Sequence, residues 1–404
     1  MTNRDALILL CSQLSVGQQH KPFSNVKISQ LIIKLSSLGL ELRDLSHKTF
    51  EELKLLFYPN REMDEKGLEI ITQIMSLLSR EGSMAFAFME LKKWGIEVLT
   101  KFDKEYPQRF IKELGSSAPA LFYYAGNKEL LKEKYIGFTG SRLKKTNTED
   151  EAITKAWAHE SIQQGYGIVS GGASGIDSFS TQVAIQLKKP FIEWLSDSLI
   201  KRLQINAISL SLQHGNGLLL SESIPSAPFN VGFAMARNKF IYLTAHRVIA
   251  VKAEYTIKDG KKTGGTWNGA VENLNSNYKK ILVINNQLSK GNQELISEGA
   301  LPIPLYPNKG FNFEELLSET KPEPTSVSLN DEHMINVLRD RNFYMNIRLT
   351  TKERAIIDSY IDLIGRFNSL QEFQKIFPEK FYNKVKDLAV EVLNGKKVIP
   401  TSLI

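Results

Sequence analysis

Four short segments of this chain carry residue types suited to holding a phosphate. They are Gly140-Ser141-Arg142, then Ser170-Gly171-Gly172-Ala173-Ser174-Gly175-Ile176-Asp177, then Arg237-Asn238-Lys239, and last Gly264-Gly265-Thr266 leading into Trp267-Asn268-Gly269-Ala270. Glycine lets backbone N–H groups crowd a ligand with no Cβ in the way and accepts positive φ. A helix opening behind such a loop adds unsatisfied donors and the positive end of its dipole, which together favour an anion. Ser141, Ser170 and Thr266 offer hydroxyl donors, while Arg142, Arg237 and Lys239 offer full charge at the rim. Lysine and arginine also outnumber acids locally. Lys132, Lys134, Arg142, Lys144 and Lys145 face one acid, Glu133, and the stretch from 237 to 262 is similarly basic.

Each signal has a plainer rival. A glycine turn after a strand also serves tight turning alone, Arg237 also suits a salt bridge, and Asp177 suits capping or orienting its loop as well as acting on a ligand. Trp267 beside a glycine loop reads first as packing, Trp194 as core, and Lys258, Lys261 and Lys262 as a solvated hairpin or loop tip. Catalytic alternatives lack their parts. There is no G-x-x-x-x-G-K-[ST], no HExxH, no G-x-S-x-G and no clean G-x-G-x-x-G, and the six histidines show no metal spacing. Binding is therefore better supported than turnover, with no cofactor and no metal expected.

The elements that must position these segments follow from hydrophobic pattern. Tyr135–Thr139, Tyr166–Val169, Phe191–Leu195, Gly217–Leu220, Val248–Val251 and Ile281–Ile284 are nearly continuous apolar runs alternating with helical stretches. Runs this apolar are expected of parallel strands covered on both faces, which predicts a doubly wound, mostly parallel α/β sheet of Rossmann type. Ligands bind such sheets at the carboxyl ends of strands, where the glycine segments and Ser221-Glu222 fall. Ahead of the sheet, apolar residues from Ile28 to about Ile96 recur at helical spacing, which predicts a small helical domain over 1–97. Residues 98–127 read as an extended bridge rich in proline and aromatics, with a strand at Leu121–Tyr124, and belong with the sheet domain over 98–318. Lys321-Pro322-Glu323-Pro324 marks a linker over 319–330, and 331–404 regains helical spacing.

The 404 residues comprise 51 Lys+Arg against 44 Asp+Glu, with 42% hydrophobic residues and one cysteine. That composition excludes collagen, disordered tails and disulfide scaffolds. Cys11 has no partner for an internal disulfide, which fits a reducing cytoplasm. The apolar run Ala6–Cys11 is too short for a signal segment or a spanning helix, so no membrane association is expected.

Taken in order and spacing, the four segments and Leu220-Ser221-Glu222 resemble the DprA/Smf family of DNA-processing proteins. Asp103, Tyr106-Pro107 and Leu121–Gly126 are similar to that family's entry into its Rossmann-like domain, and the likeness runs over about residues 30 to 310. It implies a non-catalytic homodimer that binds single-stranded DNA and hands it to the RecA recombinase during uptake, recombination or repair of DNA. Backbone phosphate contacts would fall on Gly140, Ser141, Arg142, Ser170, Gly171, Gly172, Ala173, Gly175, Arg237, Asn238, Lys239, Gly265 and Thr266. Departures mark a divergent member. Ser180-Thr181 stand where the family has Ala-His, Lys252 where it tends to have glutamate, Lys239 where it has a second arginine, and Lys258–Lys262 form an insertion. Two other readings compete: a Rossmann-like sensor or hydrolase of a nucleotide-derived small molecule, and a scaffold in a defence assembly.

Overall fold

In the computed structural model the chain is described over residues 1–13, 21–59, 62–142, 146–258, 260–276, 278, 281–318 and 379–393, with Met334, Leu338 and Leu370. Contacts divide it into two units, Met1–Phe313 and Glu314–Ile404. The first is built on a nine-stranded sheet. Its strands are β1 (Ile96–Thr100), β2 (Leu121–Gly126), β3 (Tyr135–Gly140), β4 (Gly167–Ser170), β5 (Phe191–Leu195), β6 (Gly217–Ser221), β7 (Arg247–Lys252), β10 (Ile281–Ile284) and β11 (Leu301–Ile303). A separate hairpin pairs β8 (Thr256–Lys258) with β9 (Lys261–Thr263). The sheet order is β1-β2-β6-β5-β4-β3-β7-β10-β11.

From β6 to β11 every pairing is parallel, and β1 and β2 extend the β6 edge antiparallel. The six predicted core strands are all present, each buried along its length as a strand covered on both faces must be. The parallel part begins at β3, winds outward through β4, β5 and β6, then crosses back to β7 on the other side of β3. The order reverses between β3 and β7, which makes that gap the topological switch point.

The bridge differs from the extended segment that its prolines suggested. Residues Ile96–Thr100 form a strand, and Gln108–Leu114 form a helix that Gly115 ends at a φ of 54°. Aromatics fix this bridge to the sheet. Tyr106 stacks on Phe122 at 5.7 Å, and Phe110, Phe122, Trp194 and Phe240 pack ring against ring at 4.8 to 6.0 Å. The Tyr106 hydroxyl donates to the Pro119 carbonyl at 2.7 Å, so its polar tip is satisfied inside the core.

The helical region spans Asn3–Cys11, Asn25–Ser37, Phe50–Phe57, Glu65–Leu78 and Glu81–Lys93. Its first helix buries Ala6 through Leu10, the run that the sequence shows as too short to cross a membrane. No helix among the described residues is long and apolar enough for that. Polar contacts tie these helices to the sheet and its bridge, among them those of Arg4 and Asn25. Arg4 Nε donates to both Asp103 carboxylate oxygens at 3.1 and 3.2 Å. Asn25 accepts from the Ala120 N–H at 2.9 Å and donates to Glu222 at 2.7 Å.

In the second unit, the helix Glu379–Leu393 buries Phe381, Tyr382, Val385 and Ala389 on one face. The predicted linker 319–330 and the Ile356–Ile364 helical pattern lie outside the described residues.

Truncating the central ring of the aromatic cluster tests how far the bridge belongs to the sheet's core. Phe122→Ala is expected to cost ~3–5 kcal/mol of unfolding free energy in a urea titration followed by tryptophan fluorescence.

Candidate nucleic-acid interface

Parallel strands present their C-terminal ends together, and here the ends of β3, β4 and β7 surround a cleft of about 800 Å³. Thr139, Gly140, Ser141 and Arg142 leave β3 along one wall. A register shift between Thr139 and Gly140 interrupts the pairing of β3 with β7 beside the cleft. Ala173, Ser174 and Asp177 contribute from the loop after β4, and Glu254, Thr263 and Gly264 from the segments around the β8–β9 hairpin. Two helices supply the rest: Val231–Thr244, through Val231, Ala234, Met235, Arg237 and Asn238, and Gly265–Ser276, through Gly265, Thr266 and Asn268.

Three helices place residues of their N-terminal halves in the lining of this cleft: Ile176–Gln186, Val231–Thr244 and Gly265–Ser276. Each contributes the positive end of its dipole. The Asn230 side chain accepts from the Phe233 N–H and Asp177 lies in the first turn of its helix, so two of the three ends have internal acceptors. Gly265 and Thr266 at the third line the cleft directly.

The loop after β4 is arranged around one carboxylate. Asp177 Oδ2 accepts from the Gly171 N–H at 3.1 Å and the Ala173 N–H at 3.4 Å, and lies 3.6 Å from Arg237 Nη1. Burial pushes the Asp177 carboxyl above the ordinary range, against the opposing pull of Arg237 and the two N–H groups. Arg237 is itself 8% exposed. It fits because residue 171 is glycine: a Cβ there would fall 1.2 Å from Arg237 Nη1. Gly172, at φ 67°, allows the tight turn. Gly175, at φ 102°, starts the helix and bridges Arg142 across to the first loop.

Of the residues singled out in the sequence, the cleft brings together Gly140, Ser141, Arg142, Ala173, Arg237, Asn238, Gly265 and Thr266. Ser170, Gly171, Gly172, Gly175 and Lys239 do not line it. Ser170 is fully buried against the Thr181 hydroxyl at 3.1 Å, and Gly171, Gly172 and Gly175 shape the loop behind the wall. Lys239 is half-buried on its helix, and its charge acts on Glu222. Asn238 serves the fold as well as the wall. Its Nδ2 donates to the Gly265 carbonyl at 3.1 Å, and Gly269 leaves room for it.

Much of the local excess of lysine and arginine among the described residues enters ion pairs, and Arg142 is the part of it that lines the cleft exposed. Lys252 pairs with Asp150 at 2.9 Å, Lys262 with Glu294, Lys132 with Glu129, and Arg237 with Asp177. Arg142 is exposed and lies over the Phe229 ring at 4.4 Å. Lys144 and Lys145 lie outside the described residues. Trp267 is buried against Tyr255, as packing, and Trp194 is core. Sequence reasoning missed the exposed apolar lip formed by Phe229 and Val231, with Phe233 close behind on the same helix. A proline-rich approach to a helix, Ile224 to Asn230, carries no motif.

The close approach at residue 171 generates a direct test. Gly171→Ala forces the Arg237 guanidinium out of its seat and is expected to lower stability by about 1–3 kcal/mol in denaturant unfolding. Gly82→Ala, on an exposed turn of the helix Glu81–Lys93 with open space around it and an ordinary helical backbone, is expected to leave both the Arg237 seat and the stability intact.

Comparison with known proteins came to the same region. The family model for DNA recombination-mediator protein A matches residues 97–308, more than half of the chain. No curated protein matches the sequence. Among solved structures, DNA processing protein A from Streptococcus pneumoniae aligns at 20% identity over 80% of this chain and 99% of its own, with a TM-score of 0.53. DNA processing protein A from Helicobacter pylori, described for its mode of binding single-stranded DNA, aligns at 23% identity over 55% of this chain and 94% of its own, with a TM-score of 0.41. The molybdenum cofactor carrier protein from Chlamydomonas reinhardtii aligns at 16% identity over 43% and 89%, with a TM-score of 0.30. The Streptococcus likeness gives the fold, and the match over the sheet and its cleft gives the family: this chain belongs to the DNA recombination-mediator protein A family.

Proposed function

We propose that the cleft binds the sugar-phosphate backbone of single-stranded DNA and that the protein acts by binding, not by catalysis. One observation carries this reading: the first turns of three helices, with Gly265 and Thr266 directly exposed to it, and the exposed Arg142 line a single cleft at the switch point of the sheet. Backbone donors and dipoles of this kind suit phosphate and carry no sequence information. The apolar lip at Phe229 and Val231, next to that charge, offers a face on which unpaired bases can lie. A duplex hides its base faces, so this pairing of groups favours a single strand. Among the residues lining the cleft, Asp177 and Glu254 are the carboxylates, and Asp177 is engaged with Arg237 and its own loop.

Transfer of the bound strand to RecA and assembly into a homodimer are finer parts of the proposal and rest on family membership. A second reading has its own support, because a cleft of about 800 Å³ is within the range of small-molecule sites. On that reading the ligand is a nucleotide and the protein a sensor.

Titration separates them. The chain is expected to bind a single-stranded oligonucleotide at low salt and a mononucleotide far more weakly. Arg142→Ala is expected to weaken oligonucleotide binding alike for all sequences and to reduce the slope of log K against log salt by about 0.7. Saturation by a mononucleotide, or an Arg142→Ala protein that binds as the parent does, overturns the assignment.

A further inference from the structure

The phosphate reading above makes the surroundings of Asp177 unusual. Its Oδ2 receives two backbone N–H groups of a glycine loop and faces an arginine, which is the set of donors a phosphate oxygen would receive in the same place. Arg237 is closely seated there but incompletely hydrogen-bonded. Its ion pair with Asp177 is 3.6 Å long, its side chain is nine-tenths buried, and its Nε has no hydrogen-bond partner among the described residues. Both residues line the cleft.

We propose that Asp177 is an internal counter-ion standing in for phosphate: an incoming backbone phosphate competes for Arg237, and Asp177 takes up a proton from solvent as it gives up that partner. This rests on the phosphate reading and makes Asp177 a positioning residue for it. The orphaned Nε gives the guanidinium a donor to turn toward the new anion. Asp177 keeps its two N–H contacts, so the loop holds its shape. The proton comes from the buffer and ends on the Asp177 carboxyl; no other bond changes.

The groups around Asp177 set the direction. Its own loop supplies the N–H groups of Gly171 and Ala173, and the Val231–Thr244 helix supplies Arg237 and, farther off, Tyr242. From β5 comes Glu193, whose carboxylate is bound by Arg202 of Leu199–Leu203 at 2.7 and 2.5 Å. Arg142 and Glu254 line the same cleft. Burial raises the Asp177 carboxyl, Arg237 lowers it, and Glu193 raises it again. A phosphate adds negative charge beside it while drawing off Arg237, and both effects push the carboxyl further up. Its bound-state pKa therefore exceeds its free-state pKa. Affinity is level below the free value, falls by up to about tenfold per pH unit between the two, and is level again above the bound value.

Calorimetry on the full chain with oligothymidylate, whose bases do not titrate near neutrality, reads this directly. At one pH in two buffers of different ionisation heat, the binding heats are expected to differ by the equivalent of up to one proton taken up. Affinity is expected to fall as pH rises through the interval between the free and bound Asp177 values, and to be level on either side of it. Asp177→Asn keeps an acceptor for the two N–H groups but has no proton to gain, so equal heats and a flat pH profile are expected. Binding by the parent protein with equal heats in both buffers overturns the proposal, as does proton uptake that persists in Asp177→Asn. If the variant does not fold, the parent heats decide alone. Failure of the parent to bind oligothymidylate at all is the separate outcome that removes the phosphate reading itself.

Discussion

A buried carboxylate at the switch point of a parallel sheet constrains everything around it. Desolvating Asp177 costs several kcal/mol unless the ion is fully engaged, so the chain around it must supply donors at fixed places. The Gly171 and Ala173 N–H groups do this from the loop, and Arg237 from the neighbouring helix. The guanidinium can enter only where residue 171 lacks a side chain. The helix that carries Arg237 is thereby seated against the β4 loop. The same economy of space recurs nearby: Gly140 leaves room for Ile176, and Gly269 for Asn238, each within 3 Å of where a Cβ would stand. Glycines here bring elements together as much as they open space for a ligand.

The cleft follows from that seating. With the Val231–Thr244 helix fixed beside the loop, and Asn238 holding the start of Gly265–Ser276, three helix ends converge where β3, β4 and β7 finish. Ser141 contributes from the other side by donating to the Lys252 carbonyl at 3.2 Å, which ties the first glycine segment to the end of β7. A buried Asn292 then clasps β7 to β10, donating to the Val251 and Ile284 carbonyls at 2.9 and 2.8 Å and accepting from the Ala253 N–H at 2.8 Å. Arg142 stands exposed over Phe229 at the mouth, so charge and an apolar ring meet where a flexible strand would enter.

Much of this was legible in the sequence, for identifiable reasons. Strands buried on both faces announce themselves as apolar runs, and the glycines after them mark the ligand edge. Short edge elements did not show. Ile96–Thr100 follows directly on a helix and reads as its continuation, while Leu301–Ile303 contains a proline, tolerated because it lies at the sheet edge. The helix Gln108–Leu114 was hidden between Pro107 and a glycine stop. At the site, the sequence named the loops but could not show which cations were already paired. Lys252 finds Asp150 across 102 positions, and Lys262 finds Glu294 across 32, distances at which local charge counting is silent. Nor could it show that the loop N–H groups turn inward to Asp177, since that depends on a helix sixty residues away in sequence placing Arg237.

The central claim is one of place: an unpaired strand lies in the cleft between β3, β4 and β7. Photo-crosslinking a single-stranded oligonucleotide carrying 4-thiothymidine, followed by peptide mass mapping, locates it most directly. The account predicts adducts on peptides containing Arg142, on the segment from Phe229 to Asn238, and on the segment from Thr263 to Asn268. Adducts confined to the helical region or to Glu314–Ile404, with those three segments unmodified, would contradict it.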